Sequence, residues 1–233
     1  MARVRSIPII ALDVPDAARA FAMVERLGDE CRFYKVGMQL FTAEGPRVVE
    51  RLREQGARVF LDLKFHDIPN TVRGGVRSAA AMGASLVTVH ASGGRAMLEA
   101  AREGAGDSGL EVLAVTVLTS MDATALGGAW GRDDVSVQQE VLRLAALAAE
   151  AGVAGVVCSG HEAAAVTSAY AQLGVLVPGV RPAGEASQDQ ARVVTPEGAQ
   201  AAGARWIVLG RAVTGAADPK AALLAITESL GRD

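Results

Sequence analysis

Eight short runs rich in Val, Ile and Leu punctuate this chain, and longer Ala/Leu/Glu/Arg stretches of helical spacing lie between nearly all of them. The runs are 7–12 (IPIIAL), 32–37 (RFYKVG), 58–63 (RVFLDL), 85–90 (SLVTVH), 111–118 (EVLAVTVL), 155–158 (GVVC), 174–177 (GVLV) and 205–210 (RWIVLG). Gly56, Gly83, Gly152 and Gly203 each follow a helical stretch and precede a strand, where a left-handed cap is expected. Eight strand–helix units in 233 residues predict an α/β fold, a closed parallel (β/α)8 barrel forming one domain over 1–233. An open doubly wound sheet would want a G-x-G-x-x-G turn after an early strand, and here the first strand runs into DVPD.

Charge and cysteine content narrow the function classes. The net charge is −3, with basic and acidic residues mixed along the chain, which argues against a broad nucleic-acid surface and leaves room for a local anion pocket. Cys31 and Cys158 fit no zinc spacing and no disulfide framework, so both read as buried thiols. The opening MARVRSIPIIALDVPD superficially resembles a signal peptide, but Pro8 and Asp13 interrupt an apolar run that is already too short. No stretch reaches the roughly 20 apolar residues of a membrane span. The chain therefore reads as soluble and cytoplasmic, with neither membrane nor nucleic acid as a partner.

Polar residues stand where the apolar runs stop: Asp13, Lys35, Asp62 with Lys64, His90, Thr119 with Ser120, Ser159, Arg181 and Arg211. In a barrel these converge on one mouth. Strand ends are polar also where they simply meet water, but a ring of ionisable groups of both signs is harder to explain that way. The densest part is FLDLKFHDIP, residues 60–69. Side chains alternate along a strand, so Leu61 and Leu63 meet the helices while Asp62 and Lys64 look into the mouth. Asp67 lies just past the strand, and DIPN opens the next helix.

The plain alternative is a structural ion pair, which contributes little net stability. The cation census argues against it. Of 23 basic residues only Lys35, Lys64 and Lys220 are lysines, although an arginine fork would serve an ion pair as well or better. Lysine differs in being able to release a proton once its pKa is tuned. Lys35 and Lys64 at the ends of adjacent strands thus point to chemistry that wants ammonium groups. Across the mouth, VPGVRP after the seventh strand and LGRAVTG after the eighth combine glycine turns with Arg181 and Arg211, suited to a phosphate. HEAAA at 161–165 has Ala165 where a metalloprotease needs its second His, and Ser159 has no triad partners in view. His90 reads as a group that fixes the mouth by hydrogen bonding rather than one that transfers protons.

ALDV, YKVGMQLF, FLDLKFHDIPNTV, VTVHASGG, VTVLTSMD, VPGVRP and VLGRAVTGAADP, in that order from Ile7 to about Leu224, resemble the bacterial orotidine 5'-phosphate decarboxylase family. The D-x-K-x-x-D core is shared with relatives acting on sugar phosphates, whereas KVG upstream and LTS downstream are more specific. The resemblance implies a homodimeric barrel that converts orotidine 5'-phosphate to UMP and carbon dioxide with no metal or organic cofactor. It implies that Lys35, Asp62, Lys64 and Asp67 form a charged tetrad, with Asp67 from the neighbouring subunit and Lys64 as proton donor to C6. Asp13 and Lys35 would hold the ribose with Thr71 of the neighbour, beside Ile68. Thr119 and Ser120 would face the pyrimidine. Gly210, Arg211 and Gln190, framed by Pro178 and Arg181, would bind the phosphate, with Gln188 the alternative to Gln190. Phe65 replaces a leucine common in relatives, a change of packing. Metal-dependent relatives carry an acidic residue where Lys35 stands, so Lys35 argues against them; a catalytically silent nucleotide-binding barrel is the other alternative.

Overall fold

The alternation of apolar and small residues in the eight runs is resolved by two separate cores. A computed structural model describes residues 5–182 and 194–231. The strands are β1 (Ile7–Ala11), β2 (Phe33–Gly37), β3 (Arg58–Phe65), β4 (Leu86–His90), β5 (Glu111–Val115), β6 (Gly155–Val157), β7 (Gly174–Val177) and β8 (Trp206–Leu209). Each pairs in parallel with its sequence neighbours, and β1 pairs with β8, closing a TIM barrel. Ile9, Ala11, Phe33, Phe60, Leu86, Leu113, Leu176 and Trp206 fill its interior. Ile10, Leu12, Tyr34, Val36, Leu61, Ile207 and Leu209 belong to the outer core with the helices. Odd and even positions of one strand thus serve different cores, as a pleat of period two requires.

The helices are α1 (Ala17–Leu27), α2 (Met38–Glu44), α3 (Pro46–Glu54), α4 (Pro69–Ala81), α5 (Arg95–Ala105), α6 (Ala123–Trp130), α7 (Val137–Ala151), α8 (Gly160–Ala169), α9 (Pro196–Ala201), α10 (Arg211–Thr214) and α11 (Pro219–Ser229). Short polar side chains start several of them: Asp16, Asp122, Ser136, Thr195 and Asp218 each accept a hydrogen bond from a first-turn backbone N–H. The four glycines expected to cap helices have φ of 76°, 73°, 69° and 85° at Gly56, Gly83, Gly152 and Gly203. Cys31 and Cys158 are buried free thiols. No helix among the described residues is long and apolar enough to cross a membrane.

Two strands differ from the sequence expectation by two residues or more at one end. The fifth run ends as a strand at Val115, and its last residues, Val117 and Leu118, become cavity wall together with Thr119. Thr116 turns both its N–H and its Oγ1 to the Val157 carbonyl, which anchors that wall to β6. β3 runs two residues longer than expected, to Phe65, and its register against β4 shifts between Leu61 and Phe65. The expected alternation of faces nevertheless holds: Leu61 and Leu63 pack in the outer core while Asp62 and Lys64 line the mouth, Lys64 from the irregular part of the strand with φ of 50°, in the left-handed region.

Candidate active site

The C-terminal ends of the strands enclose a cavity of about 470 Å³. Asp13, Lys35, Asp62 and Lys64 line one side; Pro178, Arg181, Gly210 and Arg211 line the other, with Thr119 between them. Apolar residues from inside the barrel, among them Phe60, Val115, Val157 and Leu176, make its floor. Charged rim and apolar floor follow from the strands themselves, whose inward residues turn polar only at their last positions.

The charged groups form a chain rather than isolated pairs. Lys35 Nζ lies 2.6 Å from Asp13 Oδ1 and 3.7 Å from Asp62 Oδ2. Lys64 Nζ donates to Asp62 Oδ1 at 2.8 Å. Asp62 is the hub, and the side chains of Lys35, Asp62 and Lys64 are 10%, 14% and 27% exposed. Burial by itself raises the Asp62 carboxyl, but the ammonium groups of Lys64 and Lys35 and hydrogen bonds from Lys64 and Thr88 outweigh it. Asp62 is thereby held ionised below the ordinary aspartate range.

Gly37 and Thr88 belong to this arrangement, and the sequence reading passed over both. A β-carbon on Gly37 would sit 3.0 Å from Lys35 Nζ and 3.1 Å from Asp13 Oδ1, so the missing side chain leaves room for that ion pair. The signal was in KVG, where a glycine follows the lysine by two positions and so shares its side of the strand. Thr88 is buried and stands two positions before His90 on an inward-facing register. His90 itself faces the His66 ring, centroids 5.2 Å apart. Burial lowers its pKa, and His66 and Lys64 push in the same direction against a smaller opposing effect of Asp62. His90 is thereby held toward its neutral form beside the charged cluster.

Other expected residues fall elsewhere. Asp67, Ile68 and Thr71 are exposed and line no part of the cavity, and Ile68 is 68% exposed. Asp67 Oδ1 accepts from the Ile68 N–H at 2.6 Å. Ser120 is exposed and outside the lining, while its neighbour Thr119 is half-buried and within it. Gln188 and Gln190 lie outside the described residues. Ser159 caps α8 and donates to Glu162 Oε2 at 2.5 Å, a buried structural bond. Lys220, the third lysine, pairs with Glu30 on the surface at 3.4 Å.

A family model described as "Orotidine 5'-phosphate decarboxylase / HUMPS family" matches residues 6–226. The chain belongs to this family. Among its relatives, an orotidine 5'-phosphate decarboxylase of Anaeromyxobacter sp. (strain K) is 53% identical over 223 residues, 94% of this chain and 96% of the relative. One of Pseudomonas paraeruginosa is 47% identical over 227 residues, covering 96% and 97%. The crystal structure of orotidine 5'-phosphate decarboxylase from Lactobacillus acidophilus superposes with a TM-score of 0.86 at 37% identity, covering 98% of this chain and all of that one. The family match spans both the Lys/Asp chain on β2 and β3 and the arginine side of the mouth.

Proposed function

We propose that this protein decarboxylates orotidine 5'-phosphate to UMP and carbon dioxide, the last step of pyrimidine nucleotide synthesis. The observation that carries the reading is the chain Asp13–Lys35–Asp62–Lys64 set opposite Arg181 and Arg211 in one cavity. Loss of carbon dioxide from C6 leaves a carbanion that the ring cannot delocalise well, so the site must stabilise charge electrostatically. Lys64, paired with Asp62, delivers an ammonium proton to C6. A substrate carboxylate near Asp62 meets like charge before the reaction and loses it when carbon dioxide leaves; we rank this below carbanion stabilisation.

An ammonium about 4 Å from the developing charge at an effective dielectric near 20 contributes about 4 kcal/mol. That corresponds to roughly a thousandfold in rate, too little alone for a hard decarboxylation. Binding energy from phosphate and ribose supplies the remainder by holding the ring against Lys64 and excluding water. Arg211 and the Gly210 backbone take the phosphate, with Gln190 (or Gln188) completing that site and Arg181 and Pro178 framing it. Asp13 and Lys35 take the ribose; Thr119 and Ser120 face the pyrimidine.

The fourth member of the tetrad, Asp67, comes from the neighbouring subunit of a cytoplasmic homodimer, together with Ile68 and Thr71. Their exposure and their place outside the chain's own cavity support this assignment. The test is direct: the absorbance of orotidine 5'-phosphate should fall on mixing with the protein, with and without a chelator. No change would sink the reading in favour of a silent nucleotide-binding barrel, and chelator-sensitive turnover would favour a metal-dependent relative. Lys64→Ala should abolish turnover and still bind UMP.

A further inference from the structure

β3 and β4 run out of step beside the charged cluster. Leu61 pairs with Val87 and Phe65 with Val89, so Asp62, Leu63 and Lys64 together face the single residue Thr88. Thr88 is fully buried, and its hydroxyl answers the mismatch. Thr88 Oγ1 accepts from the Lys64 backbone N–H at 2.9 Å and donates to Asp62 Oδ1 at 2.9 Å. A hydroxyl has one proton to give and lone pairs to accept, so both bonds form together and each orients the other. The two residues it joins are the same two whose side chains meet at 2.8 Å. Lys64 also needs external restraint, because φ of 50° is a conformation that a non-glycine residue holds only when its surroundings impose it.

We propose that Thr88 is a positioning residue for the decarboxylation: its hydroxyl locks the Lys64 backbone in its left-handed turn and aims Asp62 Oδ1 at the Lys64 ammonium. Thr88 lines no part of the cavity, so it acts through Asp62 and Lys64 and not on substrate. A valine has nearly the same shape and lacks both bonds; a serine keeps the hydroxyl without the methyl. The inference rests on the reading that Lys64 protonates C6, and the test separates the two.

Steady-state kinetics with orotidine 5'-phosphate, UMP affinity and thermal unfolding are measured for Thr88→Val, Thr88→Ser and Lys64→Ala. Thr88→Val should lower kcat roughly 10- to 100-fold, the loss of hydrogen bonds to a charged partner and to a strained N–H. KM and UMP affinity should change less than about threefold, because substrate-binding contacts are intact and only the reacting geometry is disturbed. Thr88→Ser should recover kcat to within about threefold of wild type, since the hydroxyl is what the geometry uses. Wild-type kcat in Thr88→Val, or equal slowness in Thr88→Ser and Thr88→Val, overturns the inference. If Thr88→Val does not fold, Thr88→Ala set against Thr88→Ser carries the same comparison. Turnover by Lys64→Ala would remove the underlying reading of Lys64; an inactive Lys64→Ala beside a fully active Thr88→Val removes Thr88 alone.

Discussion

Asp62 is the residue on which the electrostatics of the mouth depend. Among the described residues it is the one carboxylate touching both Lys35 and Lys64, and each of its oxygens serves a different one. Because its folded pKa is depressed, Asp62 adds stability that is present above the ordinary aspartate range and lost as pH falls through the lower folded value. Asp62→Asn keeps the shape and removes the charge, leaving Lys35 with Asp13 and Lys64 without its partner within the chain. Breaking a fully buried pair costs roughly 3–5 kcal/mol; with Lys64 partly open to water, about 2 kcal/mol is expected near neutral pH. The deficit against wild type should shrink as pH falls through the lowered folded value of Asp62, where wild-type Asp62 also protonates. Urea unfolding of both proteins across that range measures it, and a deficit independent of pH would show that the cost is packing rather than charge.

Helices α4 and α5 decide where the segment between β3 and α4 is held. Gly104 sits inside α5, where glycine costs about 1 kcal/mol relative to alanine. A β-carbon there would fall 2.5 Å from the Arg73 carbonyl oxygen and 3.1 Å from Val76 Cβ, both on α4. The sequence accepts the weaker helix former so that the two backbones can approach. Gly104→Ala should gain the helical preference and lose more by prising α4 outward, a net destabilisation of about 1–3 kcal/mol. For a chain of this size that is a fall in Tm of about 2–4 °C per kcal/mol. Because α4 begins at Pro69, directly after Asp67 and Ile68, turnover per folded molecule should fall as well. A variant as stable as wild type would show that the helices can part without cost. The β3 bulge is the complementary case: a strand gives up regular pairing so that Asp62 and Lys64 can meet.

At the scale of the molecule, Asp67, Ile68 and Thr71 lie outside the cavity of their own chain. Exposed Ile68 and Met38 are large apolar side chains left open to solvent by a single subunit. If each site takes Lys64 from one subunit and Asp67 from the other, two inactive variants should repair each other. Mixing Lys64→Ala with Asp67→Ala under conditions of subunit exchange creates dimers with one intact site. Half of randomly exchanged dimers are mixed, so activity should rise to about a quarter of wild type. Activity that stays at the level of the separate variants, while sedimentation shows mixed dimers, would place Asp67 in the site of its own chain.

The sequence alone specified the barrel, because eight apolar runs with helical stretches between them leave little choice of closure, and the four capping glycines marked where helices turn into strands. It also specified the charged side of the mouth, since lysine is so rare here that its placement carries chemical information. Other features depended on contacts between distant segments, which no local pattern encodes. The out-of-step pairing of β3 with β4 arises between residues more than twenty positions apart, and it alone explains why Thr88 bonds to both Asp62 and Lys64. Gly37 matters only because the Lys35–Asp13 pair occupies the volume its side chain would fill. Residue type and spacing reveal which groups are available to react; only the folded packing decides which neighbour holds each one at the necessary distance.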